Sequence, residues 1–345
     1  MRLRQFLPAL VLAWCAAELC AWFDTPLPWV IGPLFATAAA CMLGASLAAP
    51  VQAREAGQWA IGTTLGLYFT PQVVAVLGHQ AGWLALSVTV ALASGWLGGV
   101  ALQRMSGVDR ATAFFAMAVG SAAEMAVQAE RHGARVDRVA AAHSLRIMLV
   151  VGIIPFALSA WRGHGLAAGL DLFVPATQAV AVGPLLVLVA LTVAGSLVLK
   201  RLRVPNAWVI GALLVAGSLT AAGIHLSRLP EPVVRAGQLC IGVALGTRFT
   251  PDFARTAPRY LASVTVCALS MLALGAAFGI AVAPAAGLHP GTMILATSPG
   301  GIAEMALTAR VLHLGVPIVT AFHVARMLVV VLAIGPLYRW SGNLV

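Results

Sequence analysis

The sequence predicts an all-α polytopic membrane protein with two inverted-topology repeats, each having about five spanning helices and one re-entrant broken segment. Composition, an internal repeat and the distribution of basic residues together predict this fold. The 345 residues are 61% hydrophobic and 9% charged, whereas an average soluble domain is about 25% charged. Apolar runs of membrane-spanning length recur along the chain, for example residues 6–23, 82–102, 181–199 and 261–282.

The internal repeat is visible as identical residues at an offset of about 180 positions. Matching pairs include Gly57 with Gly237, Gly62 with Gly242, Gly66 with Gly246, Pro71 with Pro251, Glu124 with Glu304, His143 with His323 and Arg146 with Arg326. Such a series in the same order indicates a duplication. The sequence therefore predicts a first membrane repeat at 1–165, a connector at 166–180 and a second membrane repeat at 181–345.

The basic residues decide how many of the six apolar segments in each half cross the membrane. If all six crossed, nine Lys and Arg residues would lie inside and ten outside. If the fifth segment re-enters, 15 lie inside and four outside, namely Arg162, Arg228, Arg235 and Arg310. Because cytoplasmic loops carry an excess of basic residues, five crossings per half are favoured. An odd number inverts the second half and leaves both termini in the cytoplasm.

The fifth segments contain glycine or proline three to five positions before a glutamate. Non-helical backbone at membrane depth is tolerated where protein or a water-filled cavity surrounds it. A charged side chain there costs about 2.5 to 3.5 kcal/mol, so a glutamate needs a partner or a function. The predicted substrate- or ion-binding residues are Glu124, Glu304, Ser121, Gly120, Ser298, Pro299, Gly300, Gly301, Arg146, Arg326, His143 and His323.

Two structural alternatives stand beside this interpretation. Ser121 and Glu124 fit a capping box that closes a helix terminus, although Gly301 replaces the serine in the second copy. The histidine and arginine of each sixth segment stand three residues apart and share one helix face. The arginines could bind an anionic substrate while the histidines hydrogen-bond or pass protons, or the arginines could neutralise Glu124 and Glu304.

Three further features narrow the class of protein. Phe69-Thr70-Pro71 and its copy Phe249-Thr250-Pro251 are expected to end or break their helices, because proline removes a backbone donor. The five cysteines lack CxxC spacing, so neither a disulfide framework nor a zinc site is expected. The net charge of +10 comes from scattered basic residues, which fits positive-inside loops better than a nucleic-acid surface.

The segment Ser298 to Ala306, the element from Leu27-Pro28-Trp29 to Gly32-Pro33 and the duplicated layout carry a family resemblance. The chain resembles the AbrB family of bacterial membrane proteins over nearly its whole length. The resemblance implies an inner-membrane location and brings two functional labels, regulation of gene expression and ammonia monooxygenase. A soluble DNA-binding regulator shares the family's name, but this chain does not resemble it in length or composition.

The sequence favours a secondary transporter or exporter of a small anionic or zwitterionic solute, coupled to protons or sodium. A membrane sensor or regulator that affects gene expression indirectly is the alternative. A monooxygenase is least favoured, since an arginine beside each histidine opposes a bound metal ion; no catalytic residue, metal or cofactor is expected. The expected partners are the lipid bilayer, the solute and the coupling ion. Nucleic acid is not expected, and a homo-oligomer is left open.

Overall fold

The computed structural model of the protein describes residues 2–162, 179–251 and 258–341. These ranges form fifteen helices and no strand. The first half contains α1 (Arg2–Trp22), α2 (Pro28–Met42), α3 (Val51–Gly66), α4 (Pro71–His79), α5 (Ala81–Ser106), α6 (Arg110–Met117), α7 (Ala122–Arg131) and α8 (Val136–Arg162). The second half contains α9 (Val182–Arg201), α10 (Ala207–Ala221), α11 (Glu231–Gly246), α12 (Pro258–Ala286), α13 (Pro290–Thr297), α14 (Ile302–Val311) and α15 (Val316–Ser341).

Helix length and apolarity confirm a membrane-spanning architecture. Among the described residues, six helices are long and apolar enough to cross a bilayer: α1, α5, α8, α9, α12 and α15. Helices α2, α3, α10 and α11 contain 15 or 16 residues. At 1.5 Å per residue they measure about 23 Å, short of a hydrocarbon core of about 30 Å. The count of ten crossings therefore remains a prediction of the charge distribution.

The predicted break at Phe69-Thr70-Pro71 is confirmed. Helix α3 ends at Gly66, α4 starts at Pro71, and the two helices are bent by 89°. In the second copy α11 likewise ends at Gly246. Residues 252–257, which follow Pro251, lie outside the described part.

Two compact units cut across the two sequence halves. Unit 1 comprises Met1–His79, Pro155–Pro251 and Ala306–Ile318, and unit 2 comprises Gln80–Ile154, Asp252–Met305 and Val319–Val345. Each unit takes helices from both halves. The repeat boundaries at 1–165 and 181–345 describe a relation between sequences and stay a prediction.

Unit 1 is built from matching helix contacts. Helix α1 packs on α2 as α9 packs on α10, and α3 packs on α10 as α11 packs on α2. Gly62 and Gly66, like their copies Gly242 and Gly246, stand four residues apart, and this Gly-x-x-x-Gly spacing predicts close helix contact. These glycines lie at the contacts between the helices: a Cβ at Gly62 would overlap the Val209 carbonyl, and one at Gly242 would lie 2.8 Å from the Val30 oxygen. The spacing thus allows the close helix approach that it predicts.

Unit 2 places the broken segments against two long helices. Helix α5 packs on α6, α12 packs on α13, and α5 and α12 pack on each other. A Cβ added at Gly95 would lie 3.3 Å from the Met117 oxygen, and one at Gly275 would lie 3.0 Å from the Thr297 oxygen. Glycine on each long helix therefore lets the end of a short helix come close.

The first broken segment turns back on itself. The backbone N–H of Arg135, four residues after α7, donates to Thr112 Oγ1 in the first turn of α6 at 2.8 Å. The rings of Phe115 and His132 also lie 5.2 Å apart. One continuous helix would hold residues 112 and 135 about 35 Å apart. The start of α6 and the end of α7 thus lie together, which is the path that a re-entrant segment in the first half requires.

One end of unit 2 carries a group of exposed or half-buried arginines. Arg110 Nη2 donates to the Tyr338 carbonyl at 2.6 Å, Arg259 Nε to the Met105 carbonyl at 3.0 Å, and Tyr260 Oη to the Arg138 carbonyl at 3.0 Å. These bonds bring together the end of α5, the starts of α6, α8 and α12, and the end of α15. Seven arginines lie at this basic end: Arg104, Arg110, Arg131, Arg135, Arg138, Arg259 and Arg339. Only Arg146 and Arg326 lie elsewhere among the described Lys and Arg residues of unit 2.

Candidate functional site

The two breaks have nearly the same backbone geometry. Helix α6 ends at Met117 and Ala118 is extended, with φ −53° and ψ 134°. Helix α13 ends at Thr297 and Ser298 is likewise extended, with φ −61° and ψ 147°. After four non-helical residues α7 starts at Ala122 and α14 at Ile302. The repeated sequence therefore produces a repeated interruption.

A histidine from the following long helix binds the short helix in each copy. Nε2 of His143 lies 2.9 Å from the Phe115 carbonyl, and Nε2 of His323 lies 2.9 Å from the Leu295 carbonyl. Nδ1 of each histidine contacts the arginine one turn later, at 3.0 Å for Arg146 and 2.7 Å for Arg326. A guanidinium only donates, so Nδ1 must accept and Nε2 must carry the proton. Each ring is thus a neutral tautomer with both nitrogens engaged.

The two arginines bind the backbone of the breaks. Arg146 Nη1 donates to the Ala118 carbonyl at 3.0 Å. Arg326 donates through Nη1 to the Ser298 carbonyl at 2.6 Å and through Nη2 to the Gly300 carbonyl at 2.7 Å. Carbonyls at the end of a helix lack an intrahelical partner, and a cation there also interacts favourably with the helix dipole. We call His143 with Arg146 the first clamp and His323 with Arg326 the second clamp.

The sequence suggested two partners for these arginines, a substrate anion or the glutamates. The hydrogen bonds described above instead go to backbone carbonyls and to the clamp histidines. Both guanidiniums are buried, with Arg146 3% and Arg326 6% exposed. The two clamps therefore stabilise the backbone conformation of the two breaks.

The two glutamates are half-buried and point in different directions. Glu124 Oε1 accepts from Gln128 Nε2 at 3.3 Å, one turn further along α7. Ser121 makes no side-chain cap hydrogen bond, so the serine half of the predicted capping box is not formed. Glu304 instead folds back over its break, where a Cβ at Gly301 would overlap its Oε2. Glycine at 301 leaves room for this carboxylate.

The glycines in the breaks are also closely packed. A Cβ at Gly120 would lie 2.9 Å from Met125 Cε and 3.0 Å from Val330 Cγ1. One at Gly300 would lie 2.7 Å from Met305 Cγ and 3.0 Å from Val150 Cγ1. Any larger residue would push the break away from the helix that follows it.

Both breaks border one partly enclosed pocket in unit 2. Val119 comes from the first break, while Thr297 and Pro299 come from the second. Helix α5 contributes Ser87 and Ser94, and apolar side chains of α5 and α12 form most of the remaining wall. Glu124 and Glu304 are not among the lining residues. Residues of both broken segments therefore line this pocket, while the meeting of the segments at Glu124 and Glu304 stays a prediction.

Sequence reasoning missed the three hydroxyl residues of this pocket. Ser87 and Ser94 stand seven residues apart on α5, which places them on one face. That spacing of polar residues in an apolar run was the available signal. Among the described residues, no group of three or more His, Cys, Asp or Glu side chains could hold a metal ion.

Comparison with known proteins finds similarity to one protein family and to proteins of two bacteria. The model of a family described as "Transition state regulatory protein AbrB" matches residues 29–342. The "Uncharacterized protein YhjN" of Bacillus subtilis (strain 168) is 26% identical over 302 residues, covering 84% of this chain and 78% of that protein. The "Putative regulator AbrB" of Escherichia coli (strain K12) is 25% identical over 311 residues, covering 90% of this chain and 88% of that protein.

Proposed function

This chain belongs to the AbrB family, and we propose that it is a secondary transporter of a small anionic or zwitterionic solute, coupled to protons or sodium. The observation that carries this proposal is the pocket in unit 2 bordered by both breaks. Discontinuous helices from two repeats form the substrate and coupling-ion sites of many transporters. Irregular backbone at membrane depth is also tolerated only where protein or a cavity surrounds it.

Each group of site residues has a part in this proposal. Gly120, Ser121 and the run from Ser298 to Gly301 form the irregular backbone that exposes polar groups. The two clamps keep that backbone in place and supply two buried positive charges. Glu124 and Glu304 supply two negative charges when ionised, so the four charges sum to zero. An interior with both signs of charge suits a zwitterion, or an anion that enters with a cation.

The basic end of unit 2 supports an orientation in the membrane. Its seven arginines would lie in the cytoplasm, because basic residues are enriched on that side. The end of α15 lies there, so the C-terminus would be cytoplasmic, and the topology predicted from charge would place the N-terminus there too. A bacterial inner membrane is the location that fits this bias.

A regulatory role is the second candidate, and the printed names favour it. The family description and the name of the Escherichia coli relative both refer to regulation. Neither relative has the name of an enzyme, and we assign no reaction. A transporter that changes the level of a metabolite would also alter gene expression, so flux is the property that separates the two candidates.

Flux in proteoliposomes tests the transporter proposal. Purified wild type, Glu124→Gln and Glu304→Gln would be given a panel of radiolabelled amino acids and mono- and dicarboxylic acids, under an imposed proton or sodium gradient. We expect gradient-driven uptake of at least one solute by wild type and its loss in one or both variants. Glu130→Gln is the matched control, since Glu130 is an exposed carboxylate on the same helix as Glu124. No uptake of any solute by folded wild type would favour the regulatory role.

A further inference from the structure

The pocket between the two breaks is lined by three hydroxyl residues, two of which donate their hydrogens to backbone carbonyls. Ser94 Oγ donates to the Ala91 carbonyl at 2.9 Å. Thr297 Oγ1 lies 2.8 Å from both the Gly275 and the Met293 carbonyls, so its single hydrogen is also committed. Each hydroxyl oxygen keeps lone pairs that can accept. Ser87 is the third hydroxyl residue of the wall.

The rest of the wall contributes little that could bind an anion. Pro299 has no backbone N–H, and no charged side chain lines the pocket. An occupant must therefore supply positive charge or hydrogen-bond donors. The room is that of about one water-sized sphere, which suits a single ion better than a solute with several heavy atoms.

Hydroxyl and carbonyl oxygens are ligands for hard cations. Divalent ions are usually bound by carboxylates, and none lines this pocket. A monovalent cation fits its charge and its size. We propose that this pocket is a Na⁺ site and that Na⁺ is the coupling ion. This inference rests on the proposed transport function and names the ion that drives it.

The surrounding charges permit a cation here. Arg146 and Arg326 place two positive charges at the breaks, and ionised Glu124 and Glu304 balance them. The net charge that Na⁺ meets is then zero. Since Val119 and Pro299 both border the pocket, a bound ion would stabilise both breaks together. Binding of Na⁺ would then change the position of Glu124 and Glu304, which follow the same breaks. Coupling requires that binding of the ion alters binding of the solute in this way.

Thermal unfolding of the purified full-length protein in detergent tests the site without any solute. The Tm would be measured against NaCl, KCl and choline chloride at constant ionic strength, because a ligand that binds the native state raises the Tm. We expect NaCl to raise it more than the other salts do. In the variants Ser94→Ala and Thr297→Val, the Na⁺ concentration that gives half of the maximal rise in Tm should increase about tenfold or more. Equilibrium binding of ²²Na⁺ gives an independent reading.

Matched controls separate a site effect from a general loss of stability. Ser196 Oγ and Thr220 Oγ1 are buried hydroxyls in unit 1 that donate to the Thr192 and Ala216 carbonyls of their own helices, each at 2.8 Å. Ser196→Ala and Thr220→Val should leave the Na⁺ response at the wild-type value. The quantity compared is the change in Tm caused by Na⁺ rather than the Tm itself. Thr297→Val also removes a hydrogen bond to α12, which is expected to lower the Tm even without Na⁺.

Several results would overturn the site. Equal stabilisation by NaCl and choline chloride, or by NaCl and KCl, would do so, as would a wild-type Na⁺ response in both pocket variants. The outcome is independent of the flux experiment. Na⁺ binding without solute flux would leave the site standing and remove the transport function. Flux that needs Glu124 or Glu304 but ignores Na⁺ would keep transport and assign coupling to protons.

Discussion

The two clamps show how single residues hold irregular backbone inside a membrane protein. They are equivalent in sequence but unequal in bonding. Arg326 reaches the carbonyls of Ser298 and Gly300 within 2.7 Å, whereas Arg146 reaches those of Ala118 and Met117 at 3.0 and 3.4 Å and leaves its buried Nε without a hydrogen-bond partner in the described residues. Hydrogen bonds to charged groups contribute about 1.5 to 3 kcal/mol each. The second break should therefore be held more firmly than the first.

Lysine substitutions test this inequality. Lysine keeps the charge but is a point donor on a flexible stem, so it cannot bridge two carbonyls and a histidine as arginine does. We expect Arg326→Lys to lower the free energy of unfolding by about 2 to 4 kcal/mol and Arg146→Lys by about 1 to 2 kcal/mol, measured as Tm shifts in detergent. Arg104→Lys, at an exposed position, should change little. Equal losses in the two clamps would contradict the inequality.

The clamp residues also show what a sequence reveals at this scale. The three-residue spacing and the repeat correctly single out the histidines and arginines as matched pairs. The partners could not be predicted, because His143 and Phe115 are 28 residues apart and a helix face does not say what it meets. A charge in an apolar run suggests an opposite charge as its partner. A turn of unpaired carbonyls satisfies an arginine equally well.

At the scale of the elements, the charge distribution predicted the re-entrant segment and the structure explains how it is closed. Thr112 Oγ1 accepts from the Arg135 N–H at 2.8 Å and donates to Asp109 Oδ2 at 2.7 Å. One buried hydroxyl thus joins the start of α6 to the chain after α7. The serines of α5 could not be identified from the sequence, because hydroxyls in a helix usually donate to a carbonyl of the preceding turn. Their lone pairs can bind a ligand only where a neighbouring break leaves a pocket, and the sequence does not show which helix lies beside the breaks.

Replacement of Thr112 by valine tests this closure. Valine keeps the shape of threonine but cannot accept from Arg135, so this backbone N–H loses its hydrogen bond at a cost of about 0.5 to 1.5 kcal/mol. We expect a lower Tm and faster amide hydrogen exchange in the segment around Arg135. Thr89→Val is the control, since the Thr89 hydroxyl is exposed and bonds only to the Ala85 carbonyl of its own helix. Unchanged exchange in Thr112→Val would show that other contacts close the segment.

For the whole molecule, the repeat shows which helices of the two halves correspond to each other but not which helices pack together. Identical residues at a fixed offset identify two halves but do not say which helices pack on each other. The structure packs α3 on α10 and α2 on α11 in unit 1, so each of these pairs joins a helix of one half to a helix of the other. Such long-range pairing depends on the shape of helix surfaces, including the glycines at 62 and 242. Only the Gly-x-x-x-Gly spacing indicated close contacts, and it could not name the partner.

Membrane orientation is the last prediction, and it follows from the basic end of unit 2. With the native cysteines replaced, Arg135→Cys should react with an impermeant maleimide only from the cytoplasmic side. A cysteine at the opposite end of α12 should react only from the outside. Ala285 is the better position there, because it is exposed whereas Gly287 has a φ of +63° that other residues rarely adopt. Reaction of both cysteines from one side would contradict the inverted arrangement, because α12 would then not cross the membrane. Reaction from the sides opposite to those predicted would keep the crossing but place the arginine-rich end outside, against the bias that otherwise orients membrane proteins.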